Sequence, residues 1–289
     1  MDATSPEQRI VEAAMLLSED GAVTGWASLR MQGGGFFDGL EPDGRTERPV
    51  PLVVPGSRRR PRPGMTFRED QLDRSEIVDL RGIPCTVARR AVFDEMRCAT
   101  TLREAVVTMD MAAAARIISI SRMRSYLRDH PGWDGVQVTR QALDLSDEDS
   151  WSPQETRTRM IWVLEAGLPR PMTNRPVFSL SGRLLGYADL LDAESGLVVE
   201  YDGDDHRKAS RHSRDVDRED LFRRHHLEVT HVTGADTRDP DRCVARFHAA
   251  RKRARWLRPS ERPWTLAYPD GFELELPLDV ELDLKGEPD

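Results

Sequence analysis

The stretch from Ser152 to Trp256 constrains the fold most, because it sets short apolar runs between glycine-bearing turns and brackets them with helical patterns. Ser152-Pro153-Gln154-Glu155 opens the first helix: serine can cap, proline suits the first turn, and a glutamate three residues on completes a capping box. That helix is predicted to run to about Glu165, with Gly167 ending it. Residues 177–180, 184–191 and 197–201 read as strands, separated by Ser181-Gly182 and by Glu194-Ser195-Gly196. Connections this short predict an antiparallel meander. A charged helix over about 208–225, a strand over 227–232 and a last helix over 239–256 complete the order αβββαβα. The fold class predicted is therefore α/β (α+β).

At 289 residues the chain exceeds the roughly 100–200 residues of one domain, so two domains are expected. The seam is predicted at 144–152, where acidic and turn-forming residues concentrate. Before it, 7–19 carries apolar residues at helical spacing and Gly21 stops it. PVPLVVP (49–55) reads as a strand running into an arginine-rich loop at 56–64. Helices follow over 87–127, with Thr100 or Thr101 and Ser119 or Ser121 as caps. The expected division is 1–100 as an N-terminal mixed α/β domain, 101–150 as a helical linker, 151–260 as the C-terminal domain, and 261–289 as an acidic tail. Within the tail, FELELPLDVELDL alternates like a strand.

Composition excludes some classes. Hydrophobic residues make up 38% and charged residues 32%, and no window approaches the roughly 18 apolar residues of a membrane span. No membrane partner is expected. The N-terminus shows neither a basic flank nor a small-residue cleavage signal, so the cytoplasm is the expected compartment. Cys85, Cys98 and Cys243 are odd in number and form no C-x-x-C pair, and all three read as free, buried thiols. The net charge of −8 weighs against phosphate binding, but arginine is clustered. Arg58, Arg59, Arg60 and Arg62 form one run, and Arg246 to Arg258 hold another. The first reads as a solvated loop or as a phosphate clamp, the second as a solvated helix face.

Asp189 falls near the end of the second strand of the meander, and Glu200 and Asp202 flank Tyr201 at the end of the third, so Glu200 and Asp202 share a face. A turn joining these strand ends would converge three carboxylates, a donor set suited to a hard cation such as Mg²⁺ or Mn²⁺. The order of these residues, with the wording GYADLLDAESGLVVEYDGDDH, resembles the PD-(D/E)xK restriction-endonuclease-like superfamily and its very-short-patch-repair-like branch. Further matching positions are Glu155, His206, and the pair Asp215 and Arg218.

The resemblance implies that Asp189 and Glu200, with Asp202, hold metal. It implies that Glu155 assists from its helix, that His206 serves acid/base work or phosphate contact, and that Arg218 pairs with Asp215 or with DNA. One departure stands out: the superfamily's lysine, two positions after the metal glutamate, is here Asp202. The first half, through TGWASLRMQGGGFFDGL, PVPLVVP and GIPCTVARRAVFDEM, more loosely resembles actinobacterial proteins related to the AbiEi family of antitoxins.

Each site residue also has a plain structural reading. Asp202 begins an ordinary acidic turn, Glu155 is accounted for by its capping box, and His206 is one of seven histidines. His212, His225, His226, His231 and His248 lack even positional support. Two functions are therefore expected to compete. One is a metal-dependent DNA endonuclease in a defence, repair or toxin-antitoxin setting. The other is a non-catalytic, antitoxin-like regulator that binds DNA or a toxin and keeps only the fold.

Overall fold

The computed structural model describes residues 5–56, 60, 62–203 and 218–286. They divide into two compact units, Met1–Glu148 with Leu276–Asp289, and Asp149–Glu275. The division falls within the acidic stretch 144–152.

The first unit carries α1 (Pro6–Ala14), β1 (Ala22–Val23), α2 (Gly25–Met31), β2 (Val50–Val53), β3 (Met65–Arg68), β4 (Ile77–Leu80) and β5 (Ile83–Thr86). The mixed sheet has the order β3-β2-β1-β5-β4. Helices α3 (Ala88–Arg97), α4 (Leu102–Ala114), α5 (Ile120–Asp129) and α6 (Val136–Leu145) follow. Thr101 caps α4 through the Glu104 N–H, and Ser119 caps α5 through the Arg122 N–H.

The segment expected as a linker is instead core: Ala105 to Ala113 are buried all round α4, which packs on α3 and α6. The tail is also corrected. Residues 272–277 form no strand, and α11 (Leu278–Lys285) is a helix whose Leu278 and Leu282 are buried one turn apart. Its acidic side chains meet the first unit's arginines: Glu281 pairs with Arg116, and Asp283 with Arg122 at 2.6 Å. Cys85 is buried as expected, but Cys98 is exposed, its Sγ accepting from Arg68 Nη1 at 2.7 Å.

The second unit opens with α7 (Pro153–Met160), which Ser152 caps, and continues as one π-helical turn over Ile161–Glu165 before Gly167 at φ +62°. Then come β6 (Met172–Ser179), β7 (Leu184–Asp192) and β8 (Leu197–Asp202). Helix α8 is described over 218–224. Strand β9 (Glu228–Thr233), the short α9 (Gly234–Thr237), α10 (Pro240–Arg253) and β10 (Trp264–Thr265) complete the unit. The order αβββαβα is present, with α9 and β10 added.

The sheet order is β10-β6-β7-β8-β9; β6, β7 and β8 are antiparallel, and β9 joins β8 in parallel. Both faces are covered. Leu190, Leu197, Val199 and Val232 pack with Ile161, Trp162 and α10's Phe247. Val177, Leu191, Val198 and Val229 pack with α8's Phe222 on the other face. Burial on both sides is why Leu197-Val198-Val199 is a continuous apolar run rather than an alternation. Among the described residues no helix is long and apolar enough to cross a membrane.

Candidate carboxylate site

Strands β7 and β8 pair at Asp192↔Leu197, Leu191↔Val198 and Leu190↔Val199. Just beyond the last pair, a side chain replaces the backbone: the Tyr201 N–H donates to Asp189 Oδ2 at 2.8 Å. This holds Asp189 beside Glu200, which is 3% exposed. Arg218 of α8 donates to Glu200 Oε2, while Glu200 Oε1 is buried with no hydrogen-bond partner among the described residues. An orphaned buried carboxylate oxygen costs about 1–3 kcal/mol or more, so it marks a place where a cation would be welcome.

The electrostatics point the same way. Burial, then the charge of Glu155, pushes Asp189 up to about 7, against the opposing pull of Arg218. Burial, then the charge of Asp189, raises Glu200 well above the usual carboxylate range. Asp189 thus raises Glu200, Glu155 raises Asp189, and Arg218 is the one cation opposing both shifts.

Glu155 reaches this neighbourhood from α7 but is fully bonded there. Its carboxylate accepts from the Ser152 hydroxyl at 2.8 Å, from the Trp151 N–H at 3.0 Å and from Asn174 Nδ2 at 2.7 Å. Asn174 does this at φ +44°, a left-handed conformation that is uncommon outside glycine. Trp151, exposed, leans on Tyr187 of β7 with ring centroids 5.5 Å apart.

Asp202 lies on the Glu200 face but is turned aside. Its Oδ1 is 3.0 Å from His231 Nδ1, and His231 Nε2 is 3.4 Å from Glu219 of α8. The hydrogen bond to Asp202, with Glu219 adding to it, raises the His231 pKa. His231 carries no local signal in the sequence. The parallel register that opposes it to Glu200 is what brings it in. Among the described residues, no three His, Cys, Asp or Glu side chains form a metal-binding group. Asp189 and Glu200 are brought together, and Asp202 is engaged elsewhere.

His206 and Asp215 lie outside the described residues, as do Arg58 and Arg59. Arg60 and Arg62 are exposed in the first unit. No family model, no curated protein and no solved structure matches this chain.

Proposed function

We propose that the second unit is a nuclease-type domain of the PD-(D/E)xK kind, in which Asp189 and Glu200 hold Mg²⁺ or Mn²⁺ for hydrolysis of a phosphodiester in DNA. The observation that carries this reading is the buried pair itself: two carboxylates from neighbouring strands, each raised by burial, with Glu200 Oε1 unpartnered among the described residues. The donor chemistry fits a hard divalent ion.

When bound, the cation supplies positive charge to the phosphodiester and a more acidic water. The chain's own groups do the positioning. The Tyr201 N–H fixes one oxygen of Asp189 and leaves Oδ1 as the donor. Glu200 offers Oε1. Arg218, about one-third exposed, neutralises Glu200 in the metal-free chain and is placed to meet a phosphate oxygen once the cation takes over that task. Glu155 holds the start of α7 against β6 through Asn174. By resemblance, His206 is assigned acid/base work. Asp202, in the lysine's place, orients His231 instead of reaching metal.

A second reading, an antitoxin-like regulator that binds DNA or a toxin without turnover, is favoured by two observations: Glu200 already has a cationic partner, and no lysine stands at Asp202. Fold alone does not decide between active and inactive members. Incubation of the full chain with single- and double-stranded DNA in Mg²⁺ or Mn²⁺ tests both. The nuclease reading predicts strand scission that Asp189→Asn and Glu200→Gln abolish. DNA binding by all three proteins with no scission in any would replace it with the regulator.

A further inference from the structure

The arginine run near the end of α10 has an ordinary reading, since cations there complement the helix's negative end. Arg251 fits it: its Nε binds Asp192 at 2.8 Å, and its guanidinium stacks 4.4 Å over Trp256. Arg253, Arg255, Arg223 and His226 do something else. With Leu227, Glu228 and Val229 they line a cleft of about 410 Å³ at the start of β9. Three arginines face one glutamate there, in a chain of net charge −8. Arg253 gives Nε and Nη2 to Glu228, and Arg223 gives Nη2 to Glu219, so each keeps further N–H donors. Arg255 has no ion pair among the described residues.

The cleft is also held rigidly. Arg255 sits between Ala254, which is buried, and Trp256, whose N–H donates to Ser195 O at 3.1 Å while its indole N–H donates to Arg251 O at 3.0 Å. On the opposite wall, α8 ends in a closure where the His226 N–H donates to Arg223 O and the Leu227 N–H to Phe222 O, which puts His226 at φ +68°. Glycine is the favoured residue in that position. Trp256 is left-handed too, at φ +53°. Two strained non-glycine residues flank one cationic cleft, and strain of this kind gathers where geometry serves a ligand.

We propose that this cleft takes a phosphate of a nucleic-acid backbone, a docking point separate from the carboxylates; the proposal rests on the nucleic-acid reading of the second unit. Glu228 pairs with Leu197, three residues from Glu200 along β8, which sets the cleft about 10 Å from the carboxylates at about 3.3 Å per residue. A backbone phosphate held there registers the strand a few nucleotides from the bond to be cut.

The test is fluorescence anisotropy of short labelled DNA and RNA oligonucleotides on the full chain, at several salt concentrations, with Mn²⁺ binding measured in parallel. R255A is expected to weaken oligonucleotide binding about tenfold, and R223A/R255A further, with unchanged Mn²⁺ affinity. The slope of log affinity against log salt should shallow by about 0.7–0.9 for each arginine–phosphate bond removed. H226G is expected to raise Tm, since glycine relieves the left-handed backbone, and yet to weaken the oligonucleotide. A higher Tm with unchanged affinity removes His226 from the site.

Wild-type affinity and salt slope in R223A/R255A overturn the proposal, as does a wild-type chain that binds no oligonucleotide. Arginine-dependent binding of inorganic phosphate alone also overturns it, in favour of a free-phosphate site. If Glu200→Gln leaves Mn²⁺ binding unchanged while R255A still weakens the oligonucleotide, the nuclease reading falls and the cleft stands.

Discussion

Glu200 is the residue on which the second unit's chemistry turns, and its surroundings explain how it is tolerated. Arg218 is its cationic partner in the metal-free chain. Arg218→Ala leaves a buried carboxylate uncompensated and should destabilise the metal-free protein by about 1–3 kcal/mol in urea unfolding, the range being discounted for the arginine's partial exposure. The pH dependence follows from the same pair. A carboxylate raised in the folded state stabilises fully below its unfolded pKa, 3.8 for Asp189, and that contribution is lost as pH rises through about 7. In chelator the protein should therefore lose stability from about pH 4 to about pH 7, and Mn²⁺ should reverse the loss because binding needs the deprotonated forms. Carboxylates held low, such as Asp236 and Asp70, titrate below this window, whereas His231, whose pKa is raised, loses its own stabilisation as pH rises above 6.5, so Asp189→Asn measured in parallel isolates the carboxylate's share. A flat profile in the wild type would count against the raised pair. Asp189 and Glu200 were legible in the sequence because strand ends and acidic residues coincide. His231 was not, because its place depends on a parallel pairing with a strand 31 residues on from Glu200.

Among elements, those with local punctuation could be read in advance. Ser152, Gly167, Gly182 and Gly196 mark the bounds of α7 and the turns of the meander, and all three glycines have positive φ. Ser152→Ala should cost about 1 kcal/mol by removing the cap, whereas Glu155→Gln should keep most of that stability and lower the Asp189 pKa by removing a nearby charge. Strand β6 begins at Met172, five residues earlier than the apolar pattern suggests, since Pro176 reads as a strand breaker. It is tolerated because β10 pairs only at Phe178 and Ser179, leaving that side of β6 open at Pro176. The tail shows how alternation misleads. Leu278, Val280, Leu282 and Leu284 fit a strand, but Pro277 and Gly286 bound a helix that buries only Leu278 and Leu282. Leu282→Ala should cost about 2–4 kcal/mol and Leu284→Ala less than about 0.5 kcal/mol; equal costs would restore the strand.

Across the whole molecule, charge is used differently in the two units. In the first, Arg90 is buried and tied to Glu76 at 3.0 Å and to Asp94 at 3.1 Å, Tyr126 donates to Glu76, and Trp133 lies 4.9 Å beneath the guanidinium. Here each buried charge has its partner, a structural use. Arg90→Ala should cost about 3–5 kcal/mol in unfolding and leave Mn²⁺ binding intact. At the second unit's site two buried carboxylates, Asp189 and Glu200, face one arginine, Arg218, and that imbalance is the basis of the functional reading. The most direct measurement is calorimetric titration of Mn²⁺ into the full chain and into Asp189→Asn and Glu200→Gln, all three confirmed as folded. Coordination by the two carboxylates predicts one site in the wild type that both substitutions abolish; equal Mn²⁺ binding in all three proteins, or none in the wild type, would contradict it.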